Sequence, residues 1–422
     1  MHKVKVSPRK LSGTVSVPPS KSAAHRAIIC ASLAKGISII KPIDLSNDIT
    51  ATIDCMRKLG ADITLEGSVL TVDGRRTFEN KTTELDCGES GSTLRFLIPV
   101  AAAGGVSARF IGHGKLPERP IGVYTDCLPP KGVRCITQGG LPLEISGSLK
   151  SGVYEIPGDI SSQFITGLLL ALPLLDGDSE IKLTAPAQSV GYIDMTINTM
   201  KDFGINVAAT ENGWKICGGQ EYRARDFTVE GDWSQAAFFM TAASLGEEIV
   251  IDNLSTASAQ GDKECVKIYQ RFGADIAERD GNIIIKPGKL QGIEIDATDI
   301  PDAVPALSIA AALAEGRTII KGAARLRIKE CDRLAAMTDG LTRLGAKIRE
   351  TEDGLIIDGV KTLSGGSIEG YNDHRIVMSF AVAAVRCEGE IIISDMESVN
   401  KSYPSFFEDY VKLGGKADVI MG

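Results

Sequence analysis

One mark of punctuation recurs six times along this chain. The phrases RKLGADI, PPKGVRC, KDFGINV, QRFGADI, TRLGAKI and KLGGKADV place a glycine at 60, 132, 204, 273, 345 and 414, with separations of 72, 72, 69, 72 and 69. Each glycine follows a helix-like run and precedes a strand-like one, where a chain leaves a helix through a left-handed residue. Two further landmarks keep the period. Ahead of each glycine a strand ends in a polar knot that opens an apolar helix. The knots read SKSAAHR, GESGSTLR, GDISSQF, GDWSQAAF, DIPDAVPAL and YNDHRIVM, starting at 20, 88, 158, 231, 299 and 371. A third set, SNDIT, ERPIG, SVGYI, QGDKE, KECDR and NKSYP, opens a second helix. Each unit reads as strand, helix, strand, helix, strand, strand. Six such copies make an α/β architecture of supersecondary repeats.

Length and composition narrow the class. The 422 residues suit two or three domains, and 43% apolar content suits packed cores. No apolar run approaches the ~20 residues of a membrane span, and MHKVKVSPRK at the start lacks the apolar centre of a signal peptide. Nine scattered cysteines form no CxxC pair, so a zinc site is not expected and a reducing cytoplasm is the natural setting. A net charge of −8 argues against general nucleic-acid binding. Any attraction for anions must be local.

Local attraction is what the knots suggest. A helix N-terminus favours acidic residues by about 0.3–1 kcal/mol each. Here Lys21 and Arg26 sit at the first apolar helix, Arg119 precedes Pro120, and Lys329, Glu330 and Arg333 open another helix. Lys401 with Ser402 opens the last, and Arg375 lies in the sixth knot. A single site filled with anions accounts for all seven cations, since helix N-termini bind anions and Lys and Arg supply the full charges. The competing reading is a repeat scaffold whose knots only cap helices.

SKSAAHRA, GESGSTLR, LPERPIG, PGDISSQF, DIPDA, RIKECDRL, NDHR and NKSYP, in that order and spacing, closely resemble the 5-enolpyruvylshikimate-3-phosphate (EPSP) synthase family. The resemblance implies two inside-out α/β domains, each of three βαβαββ repeats, with an active site in the interdomain cleft. Residues 21–226 would form one domain, and 1–20 with 228–422 the other. It implies transfer of the enolpyruvyl group of phosphoenolpyruvate to the 5-hydroxyl of shikimate-3-phosphate with release of phosphate, by a monomer needing neither metal nor organic cofactor. Ser22, Arg26, Ser161, Ser162, Gln163, Ser189 and Lys329 correspond to shikimate-phosphate ligands, with Tyr192 as a ring contact. Lys21 and Gln163 correspond to groups meeting both substrates. Gly91, Arg119, Arg333, Arg375 and Lys401 correspond to the phosphoenolpyruvate clamp. Each substrate has a phosphate and a carboxylate, roughly −5 to −6 in all, close to what seven cations balance.

Adding a hydroxyl to an enol needs a proton delivered to carbon and another taken from oxygen, work that two carboxyl groups can divide. Asp302 resembles the base at the 5-hydroxyl, where it also binds the acceptor, and Glu330 the donor to the methylene carbon. Asp302, Glu330 and Lys21 are the candidates for the deprotonation that completes elimination. From local pattern, Asp302 could instead cap a helix and Glu330 be a first-turn acid. His374 would orient by a hydrogen bond, and His25 has no part. Two features depart from the family: Glu89 stands where many relatives have Asn, and ARLRIK lacks an asparagine used on the sugar-like ring. The rival within the fold, the transferase acting on UDP-N-acetylglucosamine, carries a reactive cysteine in a loop that here reads GHGKLPERPIG, without one.

Overall fold

Each repeat contributes one helix that is apolar on nearly every face and one that is amphipathic or short. The computed structural model describes residues 2–421. Its first six α-helices are α1 (Lys21–Leu33), α2 (Asn47–Lys58), α3 (Gly91–Ala103), α4 (Gly122–Cys127), α5 (Ser162–Ala171) and α6 (Val190–Asp202). The second six are α7 (Trp233–Leu245), α8 (Cys265–Phe272), α9 (Val304–Ala312), α10 (Arg333–Arg343), α11 (His374–Ala383) and α12 (Phe406–Lys412). A helix hydrophobic all round must be buried all round, and the odd-numbered helices are. Every residue of α7, α9 and α11 is buried, as are all but two residues of α3. Helix α7 alone buries Trp233, Phe238, Phe239 and Met240, large apolar side chains of the kind worth roughly 1.5–3 kcal/mol each. Phe239 stacks on Phe406 at 5.7 Å between centroids.

Six four-stranded sheets accompany these helices, three in each unit, all with one pairing order. In the second repeat, Thr82–Asp86 runs parallel to Ser107–Ile111. That strand pairs antiparallel with Leu143–Gly147, and Leu143–Gly147 with Val133–Ile136. Three sheets recruit strands from out of sequence. Gly13–Ser16 leads directly towards the first knot, yet it pairs with Ile249–Asp252 of the fourth repeat. Phe227–Thr228 leads towards the fourth knot and pairs with Ile37–Lys41 of the first. His2–Ser7 lies between Ile391–Ile393 and Lys416–Met421 in the last sheet.

The chain accordingly separates into an N-terminal unit, Pro19–Val229, and a C-terminal unit made of the segment up to Pro18 and everything from Glu230. All six repeat glycines have φ between 85° and 113°, the left-handed region where a side chain is strained. No described helix is long and apolar enough to cross a membrane.

Helices α3 and α5 cross closely at Gly167. A Cβ there would lie 2.2 Å from the Tyr124 hydroxyl oxygen and 2.3 Å from the Arg95 carbonyl. Gly167→Ala is therefore expected to destabilise the N-terminal unit by about 1–3 kcal/mol, read as a lower urea midpoint. An unchanged midpoint would show that the crossing can spread at no cost.

Candidate active site

In the N-terminal unit, the first turns of α1, α3 and α5 are each closed by a serine. Ser20, Ser90 and Ser161 accept from the backbone N–H groups of Ala23, Thr93 and Gln163 at 3.4, 3.1 and 3.3 Å. Lys21, the first residue of α1, donates through Nζ to Asp48 Oδ2 on α2 at 2.5 Å. Arg119 is buried, and its guanidinium lies against Gly91, where an added Cβ would stand 2.8–2.9 Å from it. A side chain at residue 91 would press on that cation where it meets the start of α3. Gln163 joins Ser92 through Nε2 at 3.0 Å and Arg95 through Oε1 at 2.6 Å. Ser189 sits at the start of α6 with φ of 55°.

Arg26 lies deeper, fully inside the helix cluster. Nε donates to Thr196 Oγ1 at 2.7 Å, one Nη to the Ser22 carbonyl at 2.7 Å, and the other to Thr166 Oγ1 and the Tyr192 carbonyl at 3.4 and 3.0 Å. Three of its five N–H groups thus tie α1 to α5 and α6, and a fourth returns to α1 itself. All four acceptors are neutral, so burial pushes its pKa down to about 10, and it remains a cation at neutral pH. His25 is buried beside it. Its Nδ1 meets Thr52 Oγ1 at 2.7 Å, and Thr52 meets Thr93 at 2.6 Å. The ring links α1, α2 and α3, a packing role that the sequence reading did not give it.

In the C-terminal unit, Arg333 holds three carboxylates. Nε donates to Asp373 Oδ2 at 2.7 Å, one Nη to Asp302 Oδ1 at 3.0 Å, and the other to Glu330 Oε2 at 2.7 Å. Burial lowers its pKa, but Asp373, Glu330 and Asp302 together overcome this and raise it well above the ordinary value. Arg375 donates to the Asp302 carbonyl at 2.9 Å, to Asp302 Oδ2 at 3.2 Å and to Ser234 Oγ at 3.0 Å. Lys329 lies 3.4 Å from Asp302 Oδ1, and Lys401 donates to the Asn372 carbonyl at 2.6 Å. Burial and the nearby Asp373 push the Cys331 thiol far up, so it stays protonated.

Several sequence expectations need correction. Of the seven cations, only Lys21, Arg333 and Arg375 occupy first turns. Arg119 precedes a helix that begins at Gly122, Lys329 lies before the Asp332 cap of α10, and Lys401 ends a 3-10 turn, Met396–Lys401. Of the third landmark set, SNDIT and SVGYI open α2 and α6 as expected, whereas ERPIG, QGDKE, KECDR and NKSYP run through turns before their helices begin, because their Pro, Gly and Asp residues satisfy the backbone locally. Asp302 caps no helix: it lies in the 3-10 turn Pro301–Ala303, and its carboxylate goes to the cations. Glu330 stands two residues before the α10 cap and is not a first-turn acid. The protein also supplies counter-charge that the sequence argument left to ligands, through Asp48 on Lys21 and Asp373 on Arg333. Asp373 sits in the NDHR string beside the residues that were chosen, and Asp48 in SNDIT. Their place in the repeat was the available signal.

These features define a class: a six-repeat α/β fold that pairs buried cations with carboxylates and hydroxyls around the starts of its helices. An EPSP synthase from Acinetobacter baumannii superposes with a TM-score of 0.84 at 30% identity, covering 100% of both chains. The enolpyruvyl transferase NikO from Streptomyces tendae shares the fold with a TM-score of 0.81 at 19% identity, covering 100% of this chain and 99% of that one. A 3-phosphoshikimate 1-carboxyvinyltransferase from Clostridium perfringens (strain 13 / Type A) is 47% identical over 421 residues, 98% of this chain and 99% of that protein. The family model for EPSP synthase (3-phosphoshikimate 1-carboxyvinyltransferase) matches residues 6–410, and the chain belongs to that family.

His25 gives a pH test. Burial first, then the charges of Lys21 and Arg26, hold its pKa well below the ordinary 6.5. Below that value the unfolded chain takes up a proton that the folded chain refuses, so stability falls as pH falls. The parent should lose about 1.4 kcal/mol between about pH 7.5 and 5.5 that a His25→Asn variant does not lose. Urea midpoints at both pH values measure the difference, and parallel losses would mean that His25 takes up its proton within the fold.

Proposed function

We infer that this chain transfers the enolpyruvyl group of phosphoenolpyruvate to the 5-hydroxyl of shikimate-3-phosphate and releases phosphate. Membership of the EPSP synthase family across nearly the whole chain supports the activity. The assignment of chemical roles rests on one observation: Asp302 and Glu330, two carboxyl groups of different surroundings, meet on the guanidinium of Arg333 at 3.0 and 2.7 Å.

In this reading Ser22, Arg26, Ser161, Ser162, Gln163, Ser189 and Lys329 receive the phosphorylated acceptor. Arg119 against Gly91, with Arg333, Arg375 and Lys401, receives the donor's carboxylate and phosphate, and Lys21 meets both. Asp302 takes the proton of the 5-hydroxyl as its oxygen bonds to the central carbon of phosphoenolpyruvate. Glu330 gives a proton to the methylene carbon, which becomes a methyl group. The tetrahedral adduct then loses a methyl proton and its phosphate, restoring the double bond. Arg333 keeps the two carboxyl groups at a fixed separation while their charges exchange, so little of the site must reorganise. The chain acts alone and in the cytoplasm.

Phosphate release should require phosphoenolpyruvate with shikimate-3-phosphate and be absent with UDP-N-acetylglucosamine; turnover of the sugar nucleotide alone would defeat the reading. Glu330→Gln should lower kcat by roughly 10²–10⁴ with acceptor affinity little changed. Asp302→Asn should lose as much and also bind the acceptor more weakly. A folded Glu330→Gln enzyme within about threefold of the parent kcat would remove Glu330 from the mechanism, since acid–base catalysis contributes far more.

A further inference from the structure

One buried guanidinium holds two of the proposed substrate-binding groups at once. Arg95, one turn into α3, is only 3% exposed. One Nη donates to Gln163 Oε1 at 2.6 Å and the other to the Pro120 carbonyl at 3.0 Å, while the guanidinium carbon lies 5.0 Å from the Phe164 ring centroid. A guanidinium has five donors and no acceptor. The Gln163 amide must therefore turn its oxygen to Arg95 and both N–H groups away from it. One of them reaches Ser92 Oγ at 3.0 Å, which leaves the second to point elsewhere. Without Arg95, a glutamine amide can present either end. The Pro120 carbonyl belongs to the residue following Arg119, so the same guanidinium anchors the backbone that carries the cation lying on Gly91. Buried charge-assisted hydrogen bonds hold such geometry firmly, because a broken one strands its partner in a low-dielectric interior.

We propose that Arg95 is a positioning residue: it fixes the Gln163 amide as a pure donor and anchors the Arg119 segment, so that an anionic substrate meets only N–H groups there. This rests on the reading of Gln163 and Arg119 as substrate-binding residues, and the experiment separates the two. Arg95→Met, Gln163→Leu and the double variant are compared with the parent enzyme, each verified as folded by circular dichroism and a thermal melt. Each single change should raise KM for phosphoenolpyruvate or shikimate-3-phosphate about 10–100-fold, the equivalent of one charge-assisted hydrogen bond, with kcat within about threefold. The double variant should be no worse than the poorer single one.

Unchanged KM in Arg95→Met, or effects that multiply fully in the double variant, would overturn the positioning role while leaving the reading of Gln163 intact. Unchanged KM in Gln163→Leu would overturn that reading and the inference with it. If Arg95→Met does not fold, Gln163→Glu decides. It keeps a partner for Arg95 but turns an acceptor towards the substrate, so it should melt no lower than the parent and show a raised KM. A parent-like KM in that variant would also overturn the inference.

Discussion

A helix buried on every side must have the polar groups of its ends satisfied inside the protein, and the site follows from that constraint. The first N–H groups of such a helix have no partner within it, so each must be met by a cap. Ser20, Ser90, Ser161, Asp232 and Asp373 meet them at five of the six buried helices. Hydroxyls, carboxylates and the cations that balance them are thereby concentrated at one end of each unit's core. The exception, α9, has no side-chain cap, and there Asp302 is taken up by Arg333 and Arg375.

The two units use buried arginine in opposite ways. Arg26 is ringed by neutral acceptors and its pKa is depressed, whereas Arg333 is ringed by carboxylates and its pKa is raised. Burial is the same in both, so the difference lies entirely in the partners. Arg26 acts mainly as a bracket between helices. Arg333 belongs to a constellation of Lys329, Arg333, Arg375 and Lys401 against Asp302, Glu330 and Asp373. Such a cluster is costly to desolvate and a poor source of stability compared with apolar packing. Its place at the proposed reacting carboxyl groups accounts for its presence better than any contribution to folding.

The period, the glycines and the apolar helices were legible because each depends on local chemistry: a left-handed exit, a pattern without a polar face. The family motifs led to Arg333, Asp302 and Glu330 as residues, but not to their contacts. Which cation meets which carboxylate depends on how elements far apart in sequence pack: Asp373 lies 40 positions from Arg333, in the next repeat, and Asp48 lies 27 from Lys21, on the second helix of the same repeat. Arg95 was hidden for another reason. A single Arg inside an apolar helix reads as a surface charge until the fold shows Gln163 and Pro120 around it. ERPIG, QGDKE, KECDR and NKSYP differ from SNDIT and SVGYI, which do open helices, because turns share their residue preferences with helix N-termini.

The out-of-sequence strands affect how the polypeptide emerges from the ribosome. The N-terminal unit is a continuous insert within the C-terminal one, so the strands synthesised first are among the last to find partners. Gly13–Ser16 waits for Ile249–Asp252, and His2–Ser7 for strands near the other end of the chain. At about 5–20 residues per second the first of these delays alone lasts roughly 10–50 s. Throughout it, Val4, Val6 and Val15 lie on unpaired strand edges while the inserted unit can already close around its own helices. The opening strands of this chain are thus the ones that wait longest for their partners during translation.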